Sequence, residues 1–122
     1  MPRVIHFDIS ADEPERAIRF YHDVFGWRIE KWIGPFDYWL IKTGEPNEPG
    51  IDGGLAKREH AEDSITNIVD VGSVADVSAR IVANGGKIVQ PKRTVPGVGY
   101  LATCLDTEGN LFGIMQRDES AR

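Results

Sequence analysis

Between Arg3 and Ile9 the side chains alternate: Ile5, Phe7 and Ile9 fall on one side, and Val4, His6 and Asp8 on the other. That is the period of a half-buried strand, and it turns His6 away from the most apolar face. The period then changes. Ala17, Ile18, Tyr21, Val24 and Phe25 recur at steps of three and four, forming one apolar stripe of a helix. Asp12 followed by Glu15 predicts an N-cap with a reciprocal acidic partner. Pro14 suits a first turn that lacks internal N–H partners, and Gly26 supplies the left-handed conformation that ends the helix. Strand-like segments follow at Trp27 to Ile33 and Tyr38 to Thr43, then a loop, "GEPNEPGIDGG", and a short segment from Leu55.

The second half repeats this order. Ile65 to Val71 is strand-like, Ser73 caps a helix with Val74, Val77 and Ile81 on one face, and Gly85-Gly86 ends it. Lys87 to Gln90 resumes as strand. Val98 to Asp106 and Leu111 to Gln116 form an antiparallel pair joined by "DTEGN", where glycine and asparagine accept positive φ. His6 and Gly26 are 20 positions apart and Asn67 and Gly86 are 19 apart, so superimposing the halves sets His6 opposite Asn67.

At 122 residues and 41% hydrophobic, the chain fits one compact domain, residues 1–122, with enough apolar material for a buried core. The net charge of -5, with acids and bases interspersed, offers no basic face for nucleic acid. One cysteine, Cys104, excludes an intrachain disulfide and a cysteine-cluster zinc site, and no run approaches the length of a membrane span. With no secretory leader at the N-terminus, a cytoplasmic protein is expected.

The segments "IHFDI", "DEPERAIRFYHDVFGW", "ANGGKIVQP" and "LDTEGNLFGIMQ", in this order, resemble the vicinal oxygen chelate superfamily, which includes glyoxalases, bleomycin-resistance proteins and extradiol dioxygenases. The resemblance covers nearly the whole chain. It implies an α+β fold of two βαβββ modules, about residues 1–60 and 61–122, forming a cup-shaped, partly open sheet, and a homodimer. Metal-dependent members place one ligand in the first and one in the last strand of each module; the matching positions here are His6, Gly54, Asn67 and Gly113. Two glycines and an amide do not supply the roughly three ligands that a catalytic divalent cation needs. No cofactor is therefore predicted, and a divalent metal would require other ligands such as Asp8, Glu108 or His60.

His6 admits two readings, a hydrogen-bonded wall residue or a group that orients a ligand or moves a proton. Asp8 shares its face, either as a proton-transfer partner or as a surface ion-pair partner. Trp39, with Tyr38, Phe36 and Trp32, is suited to enclosing a flat ligand and equally to packing a core. Gly54 and Gly113 open space at a pocket base or mark close sheet contacts, and Leu111 and Met115 make the wall beside Gly113 apolar. His22 and His60 read as solvated, Cys104 as a buried inert thiol, and "VPGVGY" as a flexible rim loop rather than a dinucleotide motif. The expected function is capture of a small organic molecule, with His6, Trp39, Gly54, Asn67, Gly113 and Met115 as ligand-binding residues. The alternative is a glyoxalase-like lyase or isomerase in which His6 and Asp8 are catalytic.

Overall fold

The computed structural model of the chain describes residues 2–122. Its elements are β1 (Val4–Ala11), α1 (Pro14–Phe25), β2 (Arg28–Lys31), β3 (Trp39–Lys42), β4 (Asp52–Lys57), β5 (Ile65–Asp70), α2 (Val74–Ala83), β6 (Lys87–Val95), β7 (Gly99–Leu105) and β8 (Leu111–Arg117). The chain divides into two compact units, residues 6–65 and residues 66–122 together with the N-terminal residues through Ile5.

In the first unit the strands run β2-β3-β4-β1, with β1 and β4 parallel and the other pairs antiparallel. The second unit has the same plan, β6-β7-β8-β5, with β5 and β8 parallel. The repeat expected from the sequence is thus a repeat of strand order and direction. Each sheet buries one face under its helix, because only the apolar side of a period-two strand gains by leaving water. Ile9, Ala11, Ile41 and Leu55 form the first core, with Ala17, Ile18 and Tyr21 of α1 packed on it. Val71, Val74, Ala102, Cys104 and Ile114 form the second, with Val77 and Ile81 of α2.

Several local expectations change. The N-cap of α1 is Glu13 with no side-chain cap, because Asp12 instead pairs with Arg58 Nε at 3.1 Å. Arg58 also donates to the carbonyls of Asp63 at 2.6 Å and Ser10 at 3.2 Å. Pro14 and Gly26, the latter at φ 75, stand where the sequence set them. Val24 and Phe25 are exposed rather than part of a buried stripe; the Phe25 ring stacks on Trp27. The end of "GEPNEPGIDGG" is strand, since β4 begins at Asp52. β6 continues through Pro91 to Val95, and its pairing with β7 shifts register on both sides of Gln90, as an outer strand permits where proline has no N–H to give.

Ser73 caps α2 as expected, accepting from the Asp76 amide at 3.1 Å. In the β7–β8 turn only Gly109 has positive φ; Asn110 instead gives its amide to Asp106 Oδ1 at 2.9 Å. The "VPGVGY" segment is a hairpin connection pinned to the C-terminal tail, with Gly97 donating to Ala121 and Asp118 to Val98, both at 2.9 Å. Among the described residues no helix is long and apolar enough to cross a membrane.

Leu55 is fully buried at the centre of the first core. Leu55→Ala is expected to lower unfolding free energy by about 2–5 kcal/mol in urea titrations, through lost burial and the cavity left behind.

Candidate functional site

β1, β3 and β4 sort the candidate residues by face. Ile9, Leu55 and Trp39 align across the three strands on the helix side; Asp8, Gly54 and Leu40 align on the opposite, open side, and His6 lies two positions before Asp8. Tyr38 precedes β3 by one residue, so its side chain leaves the strand on the open side, opposite Trp39.

There the three polar groups meet. Tyr38 Oη donates to Asp8 Oδ1 at 2.5 Å, and His6 Nε2 lies 2.7 Å from Tyr38 Oη and 3.1 Å from Asp8 Oδ1. With the single phenol proton committed to Asp8, the Tyr38 oxygen must accept, so His6 carries its hydrogen on Nε2. Burial first, then the Asp8 charge and the hydrogen bond to it, push the Tyr38 phenol far above the ordinary tyrosine value.

Two consecutive glycines on β4 make this packing possible. A Cβ on Gly54 would overlap the Tyr38 hydroxyl, while a Cβ on Gly53, on the other face, would lie 2.5 Å from the Phe7 carbonyl oxygen. The Tyr38 ring is held from its other side by Trp32 and Phe36, at centroid distances of 5.9 and 6.3 Å, and its carbonyl accepts from the Trp32 amide at 2.8 Å.

The remaining candidates do not join this cluster. Trp39 lies on the helix side, with Lys31 Nζ 5.0 Å from its ring centroid, and lines a groove with Glu15, Ile18 and Arg19. Asn67, Gly113 and Met115 belong to the second unit. Its register alters one equivalence: Ile68 pairs with Gly113 as Asp8 pairs with Gly54, so the counterpart of His6 is Thr66. Asn67 falls on the face of Val69 and Val71, which pack toward the core. Gly113 and Met115 do share a face, and a Cβ on Gly113 would lie 2.6 Å from Ile68 Cδ1.

The four positions marked by the resemblance do not fit a cation. His6 Nε2 is engaged as a donor, both glycine positions are filled by neighbouring side chains, and Asn67 is on the wrong face. Among the described residues no three His, Cys, Asp or Glu side chains are grouped as ligands. His22 and His60 are exposed, and Cys104 is fully buried, which pushes its thiol up.

Sequence reasoning placed Tyr38 only in an aromatic group. The signal that marks its hydroxyl is the unusual Gly-Gly pair within a strand, where one glycine per face implies close approach from both sides.

The sequence matches the family model for the Glyoxalase/Bleomycin resistance protein/Dioxygenase superfamily over residues 3–114. No functionally curated protein matches the sequence. Among solved structures, methylmalonyl-CoA epimerase from Mycobacterium tuberculosis is 15% identical, with 93% of this chain and 87% of that one covered and a TM-score of 0.69. A Streptomyces coelicolor methylmalonyl-CoA epimerase variant in complex with 2-nitronate-propionyl-CoA is 12% identical, with 100% and 99% covered and a TM-score of 0.73. A methylmalonyl-CoA epimerase in complex with methylmalonyl-CoA and NH4+ is 12% identical, with 99% and 98% covered and a TM-score of 0.72. At these identities the likeness is one of fold.

Two substitutions test the cluster. Because the native phenol keeps its proton above pH ~10 while the unfolded chain releases it, the native state binds more protons there, and stability falls as pH rises through and beyond that value. Tyr38→Phe is expected to cost about 1–2 kcal/mol near neutrality and to lose less than the parent between mildly and strongly alkaline pH, read from urea midpoints. Gly54→Ala is expected to expel the hydroxyl, so that absorbance titration detects one more phenol ionising in the ordinary range.

Proposed function

Because the chain belongs to the Glyoxalase/Bleomycin resistance protein/Dioxygenase superfamily, we propose that it binds a small organic molecule on the open face shared by His6, Asp8 and Tyr38, without a resident metal ion there. The observation that carries this reading is the convergence of those three polar side chains, within 3.1 Å of one another, on a sheet face that no helix of their unit covers. His6 and Asp8 stay partly exposed there, 30% and 34%, beside the exposed apolar Leu40, a mixture of polar groups and apolar surface that suits a ligand. The similar folds solved with methylmalonyl-CoA and 2-nitronate-propionyl-CoA support a small-molecule ligand in general terms.

A second reading, a metal-free isomerase or lyase, is favoured by one feature. His6 is hydrogen-bonded to a carboxylate and to a phenol, the arrangement that fixes a tautomer for proton transfer. Pairing of two copies is part of the proposal and is supported by the exposed apolar residues Ile33 and Phe36. The acidic balance speaks against a nucleic-acid partner.

The test combines metal retention with ligand-observed NMR. After incubation with zinc, nickel, manganese or ferrous iron and gel filtration, retained metal is expected to be far below stoichiometric. Saturable fragment binding is expected, weakened by His6→Ala while the thermal midpoint stays close to the parent's. Stoichiometric retained metal, or binding indifferent to His6, would overturn the proposal.

A further inference from the structure

The hydrogen bonds of the cluster leave a definite remainder. The one phenol proton of Tyr38 goes to Asp8 Oδ1, and the Nε2 proton of His6 is shared between Tyr38 Oη and Asp8 Oδ1. Both donors are spent internally. What stays outward is Asp8 Oδ2 and, in the neutral imidazole, His6 Nδ1, both acceptors. Neither has a protein hydrogen-bond partner among the described residues, yet neither is sealed from solvent: Arg58 Nε alone is a fully buried side-chain polar atom without a hydrogen-bond partner there. The side chains of His6 and Asp8 are 30% and 34% exposed.

The neighbouring positions on this face reinforce the bias. Across the strands from Asp8 stand Gly54, Leu40 and Glu30, none of which is a cation. Asp52 pairs with His6 and is held by the Thr43 amide at 2.9 Å. On this face of β2 and β3 the cations Arg28 and Lys42 stand opposite each other, two positions along from Glu30 and Leu40. Leu40, 44% exposed and next in line after Gly54, offers an apolar surface beside the acceptors.

Resting on the binding reading above, we infer that the site selects a ligand with an apolar body and a hydrogen-bond-donating head, an alcohol or an amine, and discriminates against carboxylates. A donor head completes Asp8 Oδ2. A carboxylate head would meet acceptors only, beside a like charge, and would give up its own hydration for nothing.

The test uses four probes that share one ring: benzyl alcohol, benzylamine, benzyl methyl ether and benzoate. Binding to the full chain at mildly alkaline pH is followed by two-dimensional NMR through the His6 ring and the Gly54 amide. The alcohol and the amine are expected to bind about tenfold or more tightly than the ether and benzoate, the ratio that a hydrogen bond to a charged group supplies. Asp8→Asn keeps an acceptor for Tyr38 but turns an N–H outward, so the preference over benzoate should collapse or invert while the rest of the spectrum is unchanged. Benzoate or ether binding as tightly as the alcohol, or an unaltered preference in Asp8→Asn, overturns the donor rule and leaves the binding reading standing. If none of the four shifts the site signals at any concentration reached, the binding reading itself fails and the donor rule fails with it.

Discussion

Tyr38 and Gly54 occupy one volume between them. The phenol hydroxyl sits where a side chain at position 54 would begin, and from there it reaches Asp8 Oδ1 and His6 Nε2 together. Any larger residue on β4 at this point displaces the phenol, and without the phenol the Asp8 carboxylate keeps only the longer contact to His6. Gly53 next to it yields in the opposite direction, to the Phe7 backbone and ring on the helix side. β4 is therefore thin on both faces at adjacent residues. The strand carries the core on one side and the polar cluster on the other without either being pushed out of register.

The two units show how far a backbone repeat can persist while its chemistry diverges. Both place a parallel pair beside two antiparallel partners, and both set a glycine of the last strand against the first: Gly54 opposite Asp8, Gly113 opposite Ile68. In each case a neighbour fills the space above the glycine, Tyr38 in the first unit and Ile68 in the second. One solution is polar and hydrogen-bonded, the other aliphatic. The second unit spends its buried charge elsewhere, with Asp70 accepting from Arg117 Nη2 at 2.8 Å at the end of β5. Strand order is set by apolar alternation and turn placement, which both halves retain; on the open face the two halves differ.

The elements were legible in the sequence wherever one physical signal dominated. The alternation at Ile5, Phe7 and Ile9, the Ser73 cap, and the glycine at position 26 each act through their own neighbours and were placed correctly. What depended on distant partners was not legible. Asp12 has the composition of an N-cap, but Arg58, far along the chain, takes it. Gly53 and Gly54 read as loop because glycine weakens strands, and only the approach of Phe7 and Tyr38 explains why a strand tolerates both. Asn67 was set against His6 by counting residues, whereas hydrogen-bonded register, which counting cannot supply, makes Thr66 the counterpart. His6 and Asp8 were found because they share a strand face; Tyr38 joins them across 30 residues of chain from Asp8, a contact that no local pattern encodes.

The same cluster sets what a cation would have to displace on this face. A cation that used His6 Nε2 and Asp8 Oδ1 would take the two atoms already committed to each other and to Tyr38. It would gain one imidazole and one carboxylate there at the expense of the three contacts that join His6, Asp8 and Tyr38. Asp8 Oδ1 is satisfied by donors that the chain itself provides, while its second oxygen faces solvent.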